Sequence, residues 1–185
     1  MPPHPGTTAH PSHRHATREG STVSRMASKR AIAKSQVDVL VSYGPPTRGL
    51  PTEKDFLAWT TAAVARRKPN VEVSLRVVDE AEGRELNMRY RHKDYATNVL
   101  SFAAELPPEL GLPLLGDVFL CAPVIAREAE AQGKPLAAHY AHLTVHGVLH
   151  LLGFDHETIA EARAMESLER EVLDSIGIPD PYSER

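Results

Sequence analysis

The chain has 185 residues, 42% of them apolar, enough for one ordinary domain with a real core and too few for two comfortable ones. A formal charge of -3 and a pI near 6.4 exclude a global basic field, so any nucleic-acid partner must be held by a local patch. The lone Cys121 excludes an intramolecular disulfide, and no stretch approaches the ~20 uninterrupted apolar residues of a membrane span, so a protein of the cytoplasm is the expectation.

Residues 1–35 are rich in Pro, Ser, Thr, His and Arg and carry no hydrophobic periodicity, so they are expected to form a disordered extension. Their basic residues, Arg14, Arg18, Arg25, Lys29, Arg30 and Lys34, face a single acid, Glu19, which leaves the remainder of the chain acidic. The same composition is that of an organelle transit peptide, and Met26 is an alternative start. His4, His10, His13 and His15 have nothing to fix a shared geometry and read as solvated.

The globular domain is expected over 36–185. It begins with VDVLVSY, a period-two strand ended by the turn GPP. Thr52, with Asp55 three residues on, caps a helix running through FLAWTTAAVARR to about Lys68. VEVSLRVVD alternates as a second strand, an acidic turn follows, and EGRELNMRYR is apolar at helical spacing. TNVLSFAAE and GDVFLCAP read as strands around the Pro- and Gly-rich LPPELGLPLL. Three helices complete the chain: PVIAREAEAQG, then PLAAHYAHLTVHGVLHLL stopped by Gly153, then ETIAEARAMESLEREVLDSI, whose dense charges read as a solvated face.

Histidines crowd the middle of these helices. Positions four apart on a helix differ by about 40° around the axis and ~6 Å along it, so His146 and His150 point the same way. Gly153 permits the left-handed backbone that stops the helix, and the turn through Phe154 and Asp155 can bring His156 over the same face. Three neutral nitrogens suit one Zn²⁺ ion and leave a fourth tetrahedral position open, as in catalytic sites, where zinc brings the pKa of water down to roughly 7. His142 would lie ~12 Å along the axis from His150, too far for both to hold one ion, and no glycine turn follows a 142/146 pair to return a third ligand. His139 and His142 are therefore expected to pack, or to support the ligands. The string H-G-V-L-H-L-L-G-F-D-H departs from the zincin protease pattern at Gly147, which stands where such a protease keeps its general-base glutamate.

A second cluster, Arg84, Arg89, Arg91 and Lys93, precedes a strand; as a phosphate clamp it would exploit arginine's two-pronged guanidinium. With this segment, YRHKDYATNVLSF, stand LLGDVFLC, GKPLAAHYAHLTVHGVLHLLGFDH and the closing DPY, and together they resemble the YbeY endoribonuclease family of rRNA maturation factors over residues 37–182.

The resemblance implies a zinc-dependent, single-strand-specific endoribonuclease acting in 16S rRNA 3′-end maturation and ribosome quality control. Carried over by position, it makes His146, His150 and His156 the metal ligands and Arg91 the functionally important arginine; Lys93, from the same cationic segment, is expected to bind substrate with it. It further implies contacts with a small-subunit ribosomal protein and an rRNA-processing GTPase. The fold expected is α/β (α+β), a mixed sheet of about four strands with helices packed on it and a zincin-like metal helix. A zincin-type metalloprotease and a non-catalytic, zinc-stabilised ribosome-assembly factor are the alternatives.

Overall fold

The structure, a computed structural model, describes residues 36–45, 48–65, 67–68 and 70–183; the extension expected at 1–35 lies outside them. The described residues form four strands and five α-helices, alternating as far as α2 and ending in three successive helices. Strand β1 (Gln36–Tyr43) turns Val37, Val39 and Val41 toward the core and leaves Leu40 exposed, as its alternation requires. Helix α1 (Glu53–Val64) starts in a capping box in which Thr52 Oγ1 accepts from Asp55 N and Asp55 Oδ2 accepts from Thr52 N. It stops short of the expected Lys68 because Ala65 already has an extended ψ of 133°.

Strand β2 (Asn70–Val78) is followed directly by α2 (Glu80–Arg91), so the acidic stretch expected to be a turn is the first turn of a helix. The reason is local: Asp79 Oδ1 accepts from Glu82 N at 2.8 Å, and the acids after it face the positive end of the helix dipole. Next come β3 (Val99–Ala103), a short 3₁₀ turn (Pro108–Leu110) and β4 (Leu114–Cys121). Helices α3 (Ala122–Ala131), α4 (Leu136–Leu151) and α5 (Ile159–Ser175) complete the fold, α5 beginning in a second capping box between Thr158 and Glu161.

The sheet is mixed, in the order β1-β2-β4-β3, with β1, β2 and β4 parallel and β3 antiparallel to β4. One face, carrying Val71, Val73, Leu75, Val77, Val118 and Leu120, is fully buried in a core shared with α1, α4 and α5. Phe56 meets Trp59 edge-on at 5.5 Å and Tyr140 at 6.4 Å, which joins α1 to α4. On the other face α2 covers β4: Phe102 meets Tyr90 in a tilted contact at 4.7 Å and Phe119 edge-on at 5.8 Å, and Gly83 comes so close to Cys121 that a Cβ would lie 3.0 Å from its Sγ. Among the described residues no helix is long and apolar enough to cross a membrane.

Candidate metal centre

Helix α4 sets His146 and His150 one turn apart, with ring centroids 4.6 Å apart and their Nε2 atoms separated by 3.1 Å. The helix then ends through Gly153 at φ 95°, whose N–H donates to His150 O while Phe154 N donates to Leu149 O. This turn returns His156 to within 4.9 Å of the His150 ring and 5.7 Å of the His146 ring. One nitrogen from each of the three lies within 4.8 Å of the others. Tetrahedral ligands about 2.1 Å from one ion sit about 3.4 Å apart, so the donor set and its spacing fit a zinc-sized cation. Burial, then the neighbouring His146 and His156, push the pKa of His150 down, which keeps its nitrogen unprotonated and able to ligate.

The carboxylate that orients this cluster comes from α5. Glu169 is fully buried, and its Oε1 accepts a hydrogen bond from His146 Nδ1 at 2.6 Å, which leaves the Nε2 lone pair on the side of His150. Its Oε2 accepts from His142 Nε2 at 3.1 Å and from the Tyr182 hydroxyl. Burial alone would raise the Glu169 carboxyl, but the hydrogen bonds from His142, His146 and Tyr182 outweigh it and hold the group down at about 2.

His142, His146 and Glu169 thus form a second group of converging donors, through the other nitrogen of His146. At 2.6 Å, its closest pair is tighter than two ligands of one ion and is a hydrogen bond. Sequence reasoning sought a third member for a 142/146 pair in the following turn, whereas it comes from the next helix. His139 is buried and shares Glu128 with Asn98, which ties α4 and α3 to the residue before β3. A separate cavity of about 330 Å³, between the start of α4 and residues 179–183, is lined by His139 and His142 and by none of the three clustered imidazoles.

A cleft of about 510 Å³ opens on the cluster, lined by His146, His150 and His156 together with Arg91, Asn98, Ser101, Asp155 and Glu157. The cationic segment divides here. Arg84 is paired with Asp94 at 2.7 Å and Arg89 with Glu85 at 2.9 Å, while Arg91 has no hydrogen-bond or ion-pair partner among the described residues and lines the cleft. Lys93 is exposed and is not part of the lining. Asp155 Oδ1 accepts from His156 N at 2.7 Å, fixing the turn that carries the third histidine. A Cβ on Gly147 would lie 2.8 Å from Val118 Cγ1 and 3.0 Å from Ser101 Oγ. Glycine here lets α4 lie directly on β3 and β4, and a glutamate would have no room.

The Endoribonuclease YbeY family model matches residues 51–177. The chain belongs to the YbeY endoribonuclease family. Relatives of that name from Xanthomonas axonopodis pv. citri and Stenotrophomonas maltophilia are 60% and 58% identical over 152 residues, spanning 80% of this chain and 94% of each relative. A Thermotoga maritima protein solved in solution shares the fold, with a TM-score of 0.50 at 22% identity, covering 80% of this chain and all of that one. The stretch matched by the YbeY model takes in the three histidines, Arg91 and Glu169, and ends before Tyr182. Glu169 was not singled out from the sequence, and Tyr182 entered only as the end of the DPY string, with no role in the site. The signal for Glu169 was its place among Met165, Val172 and Leu173, the buried stripe of α5.

Proposed function

We propose that the chain is a zinc-dependent, single-strand-specific endoribonuclease, with one ion per chain held by His146, His150 and His156. The observation that carries this reading is that Arg91, without a partner among the described residues, lines the same cleft as the three imidazoles. Bound there, zinc would supply a Lewis acid able to bring the pKa of water near 7.

The protein's own groups divide the remaining work. Arg91 takes two phosphodiester oxygens and stabilises the charge that grows on them. Glu169 holds the Nδ1 proton of His146, so the ring keeps one tautomer and one orientation. Lys93, exposed beside Arg91, draws the strand toward the cleft. Gly147 supplies no carboxylate where a zincin peptidase keeps its general base, and the close packing there disfavours a larger side chain, which weighs against the protease reading.

By kinship with the YbeY family, the substrate is the 16S rRNA precursor near its 3′ end, in the cytoplasm. Ribosome quality control is part of the same role, and a small-subunit ribosomal protein and an rRNA-processing GTPase are the partners. The test is metal analysis of the purified full chain together with cleavage of a single-stranded rRNA fragment. His150→Ala loses both the ion and cleavage. Arg91→Ala keeps the ion and loses about 10²–10³ in rate, the range for removing one transition-state donor. Cleavage that survives in both variants overturns the proposal. A 2′,3′-cyclic phosphate on the product would assign the attack to the RNA 2′-hydroxyl rather than to water.

A further inference from the structure

The closing residues of the described chain reach back to the metal centre. Asp180 Oδ1 accepts from Tyr182 N at 2.9 Å and pairs with Arg170 Nε at 3.4 Å. The Arg170 guanidinium lies 4.7 Å from the centre of the Tyr182 ring, and Lys134 Nζ donates to Pro181 O at 2.5 Å. The Tyr182 ring also meets His142 edge-on at 5.4 Å. A chain end is loose unless something ties it down, and these ties hold the Tyr182 hydroxyl against the buried Glu169 Oε2, with His142 Nε2 3.3 Å from the same hydroxyl.

That oxygen matters because of how a glutamate turns. The last torsion of a Glu side chain is broad, so a carboxylate anchored through one oxygen keeps rotational freedom. Glu169 Oε1 is committed to His146, and its rotation is set by whatever holds Oε2. Two donors do so, His142 and Tyr182. Burial and the nearby Glu169 charge push the phenol's pKa up, so the hydroxyl stays a donor.

We infer that Tyr182 is a positioning residue for the metal ligand His146, acting through Glu169. The inference rests on the reading of His146 as a ligand. It makes the segment after α5, beyond the stretch matched by the family model, part of the metal centre.

The experiment measures zinc affinity of the full chain by competition with a chromogenic chelator, for wild type, Tyr182→Phe, Tyr182→Ala and Glu169→Gln. Tyr182→Phe keeps the ring for Arg170 and His142 and removes only the hydroxyl. The expected result is affinity about tenfold weaker in both Tyr182 variants, the low end of losses for groups that support a ligand, with cooperative unfolding kept after chelator treatment. Cobalt-loaded Tyr182→Phe should show a shifted visible band. In the Glu169→Gln background Tyr182→Phe should cost clearly less affinity than it does in wild type, since the route through Glu169 is already weakened. Wild-type affinity in Tyr182→Phe, whether or not the Ala variant is weakened, overturns the inference and leaves the metal centre standing. Losses from Tyr182→Phe and Glu169→Gln that simply add overturn the route through Glu169. A wild-type chain that binds no zinc overturns the metal centre and this inference together.

Discussion

Replacing Glu169 by glutamine keeps the shape of the side chain and removes its charge at a fully buried site. Glu169 receives donors from His146, His142 and Tyr182, and each hydrogen bond to a charged group contributes roughly 1.5–3 kcal/mol. A glutamine oxygen still accepts, so about one charged bond is lost outright and the others weaken, a loss of about 3 kcal/mol. The carboxyl's own titration leads to the same size: it moves from 4.5 to about 2 on folding, and each unit is worth ~1.4 kcal/mol. No exposure discounts this, because the residue is 0% accessible. The sign follows from a depressed carboxyl: its contribution is whole above pH 4.5 and is lost as pH falls from 4.5 toward 2.

The assay is urea unfolding of chelator-treated wild type and Glu169→Gln at a series of pH values. At pH 7 the variant should be less stable by about 3 kcal/mol, equivalent to roughly 6–12 °C in Tm for a domain of this size. The gap should narrow steadily below pH 4.5. Equal stability at pH 7, or a gap that stays constant down to pH 3, would refute the account of Glu169 as a buried, hydrogen-bonded anion.

Four further outcomes follow from the geometry. Gly147→Ala should lower Tm despite alanine's higher helix propensity, because overpacking costs about 1–3 kcal/mol against a propensity gain of at most ~1. Gly147→Glu should be poorly folded by circular dichroism and should not gain peptidase activity. Thr158→Ala, which removes the cap of α5, should cost about 1 kcal/mol in urea unfolding. Arg84→Ala should leave RNA cleavage rates near wild type, since this exposed arginine is occupied by Asp94 outside the cleft; a loss comparable to that of Arg91→Ala would contradict the division of the cationic segment.

What the amino-acid order made readable is what depends on neighbours along the chain. His146, His150, Gly153 and His156 could be related through helix geometry and one left-handed residue, and the structure brings their rings together. The start of α2 was harder, because Asp79 followed by acids looks alike as a turn and as a capped first turn. Strand order was out of reach, since placing β4 between β2 and β3 depends on pairings distant in sequence. Glu169 was hidden among Glu166, Arg170 and Glu171, ordinary surface charges of which Arg170 pairs with Glu166 and Asp180, while Glu169 points inward. Composition likewise could not separate Arg91 from Arg84 and Arg89, whose acidic partners are found only by folding.

The three imidazoles belong to one helix end and the turn after it, all within residues 146–156. Nitrogens so near in sequence stay within reach of one another when the domain unfolds, so a cation held as proposed would also bind the denatured chain weakly. Ion binding to the denatured state subtracts from the stabilisation the folded protein gains. Glu169 and Tyr182 have no such persistence, because both reach the cluster from residues beyond the turn. For a cation held as proposed, the preference for the folded form would therefore reside less in the three imidazoles than in the carboxylate and phenol behind them.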